Sequence, residues 1–426
     1  MSNDTGNPME LFKQAFAQHD AVLFARLLEE YPEMKARIND PVAAFDAPVI
    51  TRVRSREMLE VLLEAGADIN AKSRWWAGGF GLLDCAAPEL ARYAIERGAV
   101  VGVHAAARLG WIEKLRELIS ADPALVHARG GDGQTPLHFA STVEIAEYLL
   151  NQGANIDARD IDHESTPAQY MVRDRQDIAR YLVRRGCKTD LLMATALGDI
   201  DLVRHYLDAE PDCIRMTVSE QYFPKQDPRS GGTIYIWTLG QNKTAPVIAC
   251  EFGRDDIFRL LLERSPEELK LAHACELGDE NLFKALLASR PNFVQTLSED
   301  DRRKLPNAAQ NNNTKAVRLM LSAGWPPDMP GQHGGTPLHW AAFHGNAEMV
   351  ETILRHNPPL ELTDTDFHAT PLGWAIHGSE HGWHCRTGNY AAAVGSLIRA
   401  GATLPEKIEG SEQVKDVLRR FGSKAK

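Results

Sequence analysis

Glu251, His273 and Glu276 bring two carboxylates and an imidazole into neighbouring stretches of sequence. These are the residue types that pass protons in general acid/base catalysis, and Asp162 is a fourth candidate. Such a set would suit a hydrolase- or isomerase-type step on a polar small molecule. Two further stretches, Asp160–Pro167 (DIDHESTP) and Asp364–Pro371 (DTDFHATP), share one pattern and present Asp162, His163, Glu164, Asp366 and His368. Solvated loop chemistry is the simpler reading of both. His377, Glu380, His381, His384 and Cys385 are metal-ligand types, but their spacing matches neither a helix pair nor a zinc knuckle. A capped structural loop packed by Trp383 and Tyr390 is expected there, with no metal and no cofactor. The chain has no nucleophile elbow, glycine-rich phosphate loop or HExxH.

The elements that must position these residues are set by a repeat. TPLHFA begins at Thr135, TPAQYM at Thr166, TPLHWAAFHG at Thr336 and TPLGWAIHG at Thr370. The first two starts are 31 residues apart and the last two 34. Thr-Pro opens a first helix, because proline pre-sets φ at the first helical position, and small alanines let a neighbouring helix approach. A second helix follows with apolar residues at helical spacing, such as Ile145, Tyr148 and Leu149 or Val350, Ile353 and Leu354. One such unit cannot bury its own apolar face, whereas stacked units can.

This pattern resembles the ankyrin repeat family, most clearly at Thr135–Asp157 and Thr336–Gly378. Degraded units begin near Val103, Leu191, Ala245, Leu271 and Pro306, and VITRVRSREMLEVLLEAGADIN is the clearest early one. The resemblance implies an all-α ankyrin-repeat solenoid of roughly twelve helix-turn-helix units with short β-hairpin loops. The array is expected over 1–402, with its weakest repeats in 1–100, and a C-terminal capping helix and tail over 403–426. Residues 216–243 interrupt the frame with a turn-rich stretch and the β-prone TIYIWTL, and read as a longer hairpin finger. Its Tyr222, Phe223, Tyr235 and Trp237 either wall a groove or pack on their own repeat. The two altered tips replace the family's glycine and gain a residue, although that turn normally needs positive φ.

Ankyrin arrays direct the variable positions of TPLHxAAxxG at a concave groove. Those positions hold Arg108, Phe139, Tyr170 and Arg173, Met193, Ile248 and Glu251, His273 and Glu276, Asn307 and Gln310, Trp340, Phe343 and His344, then Trp374 and His377. His104, His138 and His339 occupy the motif's own histidine slot and are expected to bond neighbouring loops; Cys250 and Cys275 fall on a buried alanine slot. The expected function is a binding scaffold that presents an acidic, aromatic groove to a protein or peptide. Tyr170, Arg173, Trp237, Trp340, Phe343, His344, Trp374 and His377 would form the binding surface. The alternative is a pocket in the same groove for a sugar or other polyol, worked by Glu251, His273, Glu276 and Asp162.

Composition narrows the partners. The 426 residues carry 47 basic against 58 acidic side chains, a formal charge of -11, which argues against a nucleic-acid partner. No run of about 18 apolar residues occurs and the start has no export signal, so a cytoplasmic, membrane-free monomer is expected. The six cysteines show no CxxC pairing.

Overall fold

The computed structural model describes residues 8–290 and 292–422. Residues 1–7, part of the stretch read for an export signal, and 423–426 of the expected tail lie outside the described residues. The chain divides into two compact units, Met1–Asp199 with Val218–Gln241, and Ile200–Thr217 with Asn242–Lys426. Among the described residues β pairing is limited to three isolated bridges, and no helix is long and apolar enough to cross a membrane. The fold is all-α.

In the second unit paired helices follow one another: Ala245–Glu251 with Asp255–Arg264, Glu267–Leu277 with Glu280–Ser289, and Lys304–Gln310 with Thr314–Ala323. Pro337–Phe343 with Ala347–Leu354 and Pro371–His381 with Tyr390–Arg399 complete the series. Proline stands at the start of three of these first helices. The first four pairs reverse through a left-handed residue; Gly345 (φ 61°) serves one turn and Asn312 (φ 55°) does the same work in another. One continuous apolar core runs from Leu271 and Phe283 through Trp325, Leu338, Met349 and Ile353 to Val394 and Leu397. Helix Glu412–Gly422 closes that core with Val414 and Leu418 and keeps charge on its other side.

The first unit is built in the same way from Val103–Leu109 with Ile112–Ala121, and Pro167–Met171 with Gln176–Arg184. Between them the TPLHF segment makes only a tight single turn, Pro136–Phe139, before helix Val143–Asn151. A separate apolar core joins Phe24, Ile50, Leu59, Leu62 and Leu90 towards its N-terminal end.

The expected β-hairpin features are corrected. The loop tips are turns closed by single backbone bonds, such as Gly331 N–H to Gly335 O at 2.9 Å and Asp364 N–H to Ala369 O at 3.1 Å. The 216–243 insertion forms no hairpin: TIYIWTL turns into a short wide helix, Ile236–Gly240. The alternation that looked β-like does not hold as burial, since the consecutive Ile234 and Tyr235 are both buried while Trp237 is 75% exposed.

Candidate functional site

The histidine slot positions everything around it. Thr336 N–H donates to His339 Nδ1 at 3.1 Å, which leaves Nε2–H to donate to Ala369 O at 3.1 Å. His138 does the same between Thr135 N–H and Ser165 O, and His104 reaches Ala128 O at 3.0 Å. As expected from the motif, the imidazoles bond neighbouring loops, and those of His138 and His339 also hold their own helix starts. Burial keeps these rings neutral and pulls His138 down to about 3.

Those loops hold the two altered tips. Asp160 accepts Ser165 N–H (2.7 Å), His163 N–H (2.8 Å) and Tyr170 Oη–H (2.9 Å). Asp364 accepts Ala369, Asp366 and Phe367 N–H and the Trp374 indole N–H at 2.9 Å. Burial opposes the charge on Asp364, yet these four donors hold it at about 2. Tyr170 and Trp374 are therefore clamps on their own loop tips. Glu164 (φ 49°) and His368 (φ 53°) adopt the left-handed conformation for which glycine is usual.

Around Trp374 the second unit gathers a continuous aromatic surface. Trp340 meets Trp374 edge-on at 5.0 Å, and Phe343 lies 5.9 Å from Trp374. Trp383, on the lengthened turn after helix Pro371–His381, stacks over Trp340 at 6.0 Å and 26°. Phe367, from the altered tip, contacts Trp374 and His333 on the other side. Trp340 and Trp374 are 3% and 6% exposed, whereas Trp383 and Phe367 are 63% and 66% exposed. The close approach needs Gly335, where an added Cβ would stand 2.9 Å from Trp374 Cη2 and 3.3 Å from Trp340 Nε1. Buried beneath these rings, Trp340 Nε1 and His344 Nδ1 have no hydrogen-bond partner. His344 donates Nε2–H to Gln310 O at 2.8 Å, and burial pulls its pKa down to about 4.

The expectation that the first variable position of each repeat faces a groove is overturned at six repeats, while Tyr170 and Asn307 are half-buried. Phe139, Met193, Ile248, His273, Trp340 and Trp374 are all buried. That position is covered by stacked repeats, a long-range effect. At the second variable position Glu251 and His377 are exposed and Phe343 and Glu276 half-buried, but Gln310 is buried. His344, expected in the groove, is buried. Sequence reasoning missed Phe367 and Trp383 as the most exposed rings here; both sit on segments already singled out as departures from the repeat. His377 and His381 do have helix-pair spacing, since helix Pro371–His381 runs through both and brings the rings to 4.9 Å. Cys275 is buried as expected, but Cys250 is exposed.

The proposed acid/base set comes together only in part. His273 Nδ1 and Glu276 Oε2 are 3.2 Å apart, with Thr244 Oγ1 at 3.5 Å from the same oxygen. Burial disfavours the Glu276 charge, but Lys304 and His273 outweigh it and hold the pKa low, so Glu276 is poorly suited to protonate anything. Glu251 is engaged by Lys243 Nζ at 2.5 and 2.7 Å. Asp162 belongs to the first unit, where its partners are His163 and residues 230–231.

The loop-tip residues of the first unit face the insertion. The Glu164 carboxylate accepts Gln226 N–H and Asp227 N–H at 2.8 and 2.7 Å. Ser230 Oγ–H donates to Asp162 O at 2.6 Å, His163 Nδ1–H to Gly232 O at 2.9 Å, and Tyr235 Oη–H to Asp190 at 2.8 Å. Arg173 donates from Nε to Thr238 O. The insertion is thus packed on the repeats of its own unit, and Arg229 covers the Trp76 ring at 4.3 Å. In the other tip, His368 and Asp366 are exposed, and Asp366 pairs with His333 Nδ1 at 2.7 Å.

Comparison with known proteins agrees with this architecture. The family profile described as "Ankyrin repeats (3 copies)" matches residues 103–193, 271–366 and 305–384. The chain is 22% identical over 247 residues, 54% of its length, to E3 ubiquitin-protein ligase KEG of Arabidopsis thaliana, of which it covers 15%. It is 26% identical over 118 residues to ankyrin repeat and SAM domain-containing protein 6 of Mus musculus, covering 27% of this chain and 13% of that protein. Over 71 residues it is 39% identical to inversin-B of Xenopus laevis, 17% of this chain and 7% of that one. The chain therefore spans no more than 15% of the length of these relatives. With its Thr-Pro helix starts, its histidine-tied loops and these matches, the chain carries ankyrin repeats across 103–193 and 271–384.

Proposed function

We propose that the chain is a binding scaffold whose second unit captures a protein or peptide partner on the Phe343–Phe367–Trp383 surface. Ankyrin repeats are in general protein-interaction modules. The observation that carries the reading is two aromatic rings, Trp383 and Phe367, left about two-thirds exposed over a buried pair of tryptophans. Large rings held rigidly on a packed base are the usual anchors of an interface, because they gain contact area at little entropic cost. Covering both removes on the order of 200 Å² of apolar surface from water, about 5 kcal/mol before the costs of association.

The test compares the wild-type chain with the Phe367→Ala/Trp383→Ala double variant in proximity crosslinking followed by mass spectrometry. Both substituted side chains are mostly exposed, so circular dichroism and thermal midpoint should change little. Proteins crosslinked to the wild type and lost from the variant support the reading. An identical set from both ends it, and a thermal shift with saccharides abolished by the same variant would move the surface to polyol binding.

A further inference from the structure

We infer that Asp132, Asp162 and His163 in the first unit form a binding site for a divalent first-row transition-metal ion that pins the 216–243 insertion to the repeats. One ligand atom from each residue lies within 4.8 Å of the other two. A set of one imidazole nitrogen and two carboxylate oxygens suits zinc or manganese better than the all-oxygen cages of calcium and magnesium.

Three observations beyond proximity point to a cation. The first is the orientation of His163. Its Nδ1 lies 2.9 Å from Gly232 O, and a carbonyl can only accept, so Nδ1 carries the proton. Nε2 is then turned to the carboxylates, 3.9 Å from Asp162 Oδ2. A metal-bound imidazole typically has this arrangement, with its outer nitrogen bonded to a backbone carbonyl.

The second is Asp162 itself, whose side chain is 8% exposed. Its Oδ1 accepts Gly231 N–H at 3.2 Å, while Oδ2 has only the distant imidazole. One oxygen of this largely buried carboxylate is thus held by the insertion and the other is turned towards the imidazole. A carboxylate oxygen facing an imidazole nitrogen that carries no proton is a suitable pair of ligand atoms for one cation.

The third is the equivalent pair of tips in the second unit. Asp132 (φ 54°) and His333 (φ 59°) hold the same place, and each carbonyl accepts the next tip's N–H, Ile161 at 2.8 Å and Thr365 at 2.9 Å. Asp162 corresponds to Asp366. In the second unit His333 and Asp366 satisfy each other directly at 2.7 Å. In the first unit two like charges stand where that pair is, and a histidine has been added where the other tip has Phe367. A divalent ion restores the missing attraction between neighbouring tips. Through the His163–Gly232 bond it would also fasten the insertion, with water filling the remaining coordination positions.

The full chain, stripped with chelator, is titrated with MnCl2 while free aqueous manganese is read by its electron paramagnetic resonance signal. One saturable site per chain is expected, displaced by ZnCl2. Asp162→Asn and His163→Gln should each weaken uptake by tenfold or more, while His377→Gln/His381→Gln should leave it unchanged. Asp162→Asn is nearly isosteric and keeps an oxygen for Gly231 N–H, so folding should survive; if it does not, His163→Gln alone decides. Absence of saturable uptake, or uptake indifferent to both variants, overturns the site.

Discussion

At the scale of single residues, the two central tryptophans differ in one atom's fate. Trp374 Nε1 donates to Asp364, whereas Trp340 Nε1 is buried without a partner. Trp374→Phe should destabilise the chain by about 1–3 kcal/mol, because it withdraws a donor from a buried, ionised carboxylate. Trp340→Phe loses some packing but also removes an unsatisfied N–H, so a smaller loss is expected. Urea unfolding of the two variants checks this, and equal losses would mean that ring volume alone decides. Trp340→Ala, by contrast, empties a core site and should cost about 3–5 kcal/mol. The sequence marks both residues as variable positions of the repeat, and that is legible. Their burial is not, because it depends on Trp383, Phe367 and Gly335 arriving from other segments.

At the scale of elements, the Thr-Pro helix starts and histidine-tied loops could be read directly because their determinants are local: a proline, a hydroxyl and an imidazole three residues on. The insertion could not. Its alternating Ile-Tyr-Ile-Trp run suggested strands, but its shape is dictated by distant groups, Glu164, Asp162 and Asp190, that capture its backbone and Tyr235. The Asp132 tip escaped notice for the opposite reason: it conforms to the repeat, and only its histidine counterpart at 333 betrays the difference. Glu164→Ala removes the acceptor shared by Gln226 and Asp227. Losing about 2 kcal/mol of local closing energy would raise opening roughly thirty-fold. Trypsin should therefore cut after Lys225 and Arg229 about that much faster, with the global thermal midpoint nearly unchanged. An unaltered cleavage rate would show that Tyr235 and Ser230 hold the insertion without Glu164.

At the scale of the whole molecule, the repeated histidine makes stability depend on pH in a defined direction. Burial pulls His138 down to about 3 and His344 to about 4, and shifts His104 and His339 the same way from an ordinary value of 6.5. As pH falls through about 6.5, the unfolded chain takes up protons on these imidazoles while the folded chain does not. The unfolded state then binds more protons, so His138 and His344 each cost about 1.4 kcal/mol per pH unit below that point, and His104 and His339 add losses of the same sign. Their contribution is complete above about 6.5, and that of His138 and His344 is lost progressively as pH drops towards 4. Asp132 acts in the opposite sense. Burial and the neighbouring Asp162 push it up to about 6, so the folded form holds its proton over part of the same window and offsets about one imidazole. Asp364 and Glu276, both held low, add losses of the same sign as the histidines, but only below the ordinary carboxylate range. In the interval between about pH 7 and about pH 5 the four imidazoles work against Asp132, and against Asp160 and Asp190, whose pKa values burial also raises. Urea midpoints should fall across it, and His138→Asn should lower the midpoint at pH 7 while flattening the slope. A slope that the variant shares with the wild-type chain would mean that His138 is not a neutral, buried tie between neighbouring repeats.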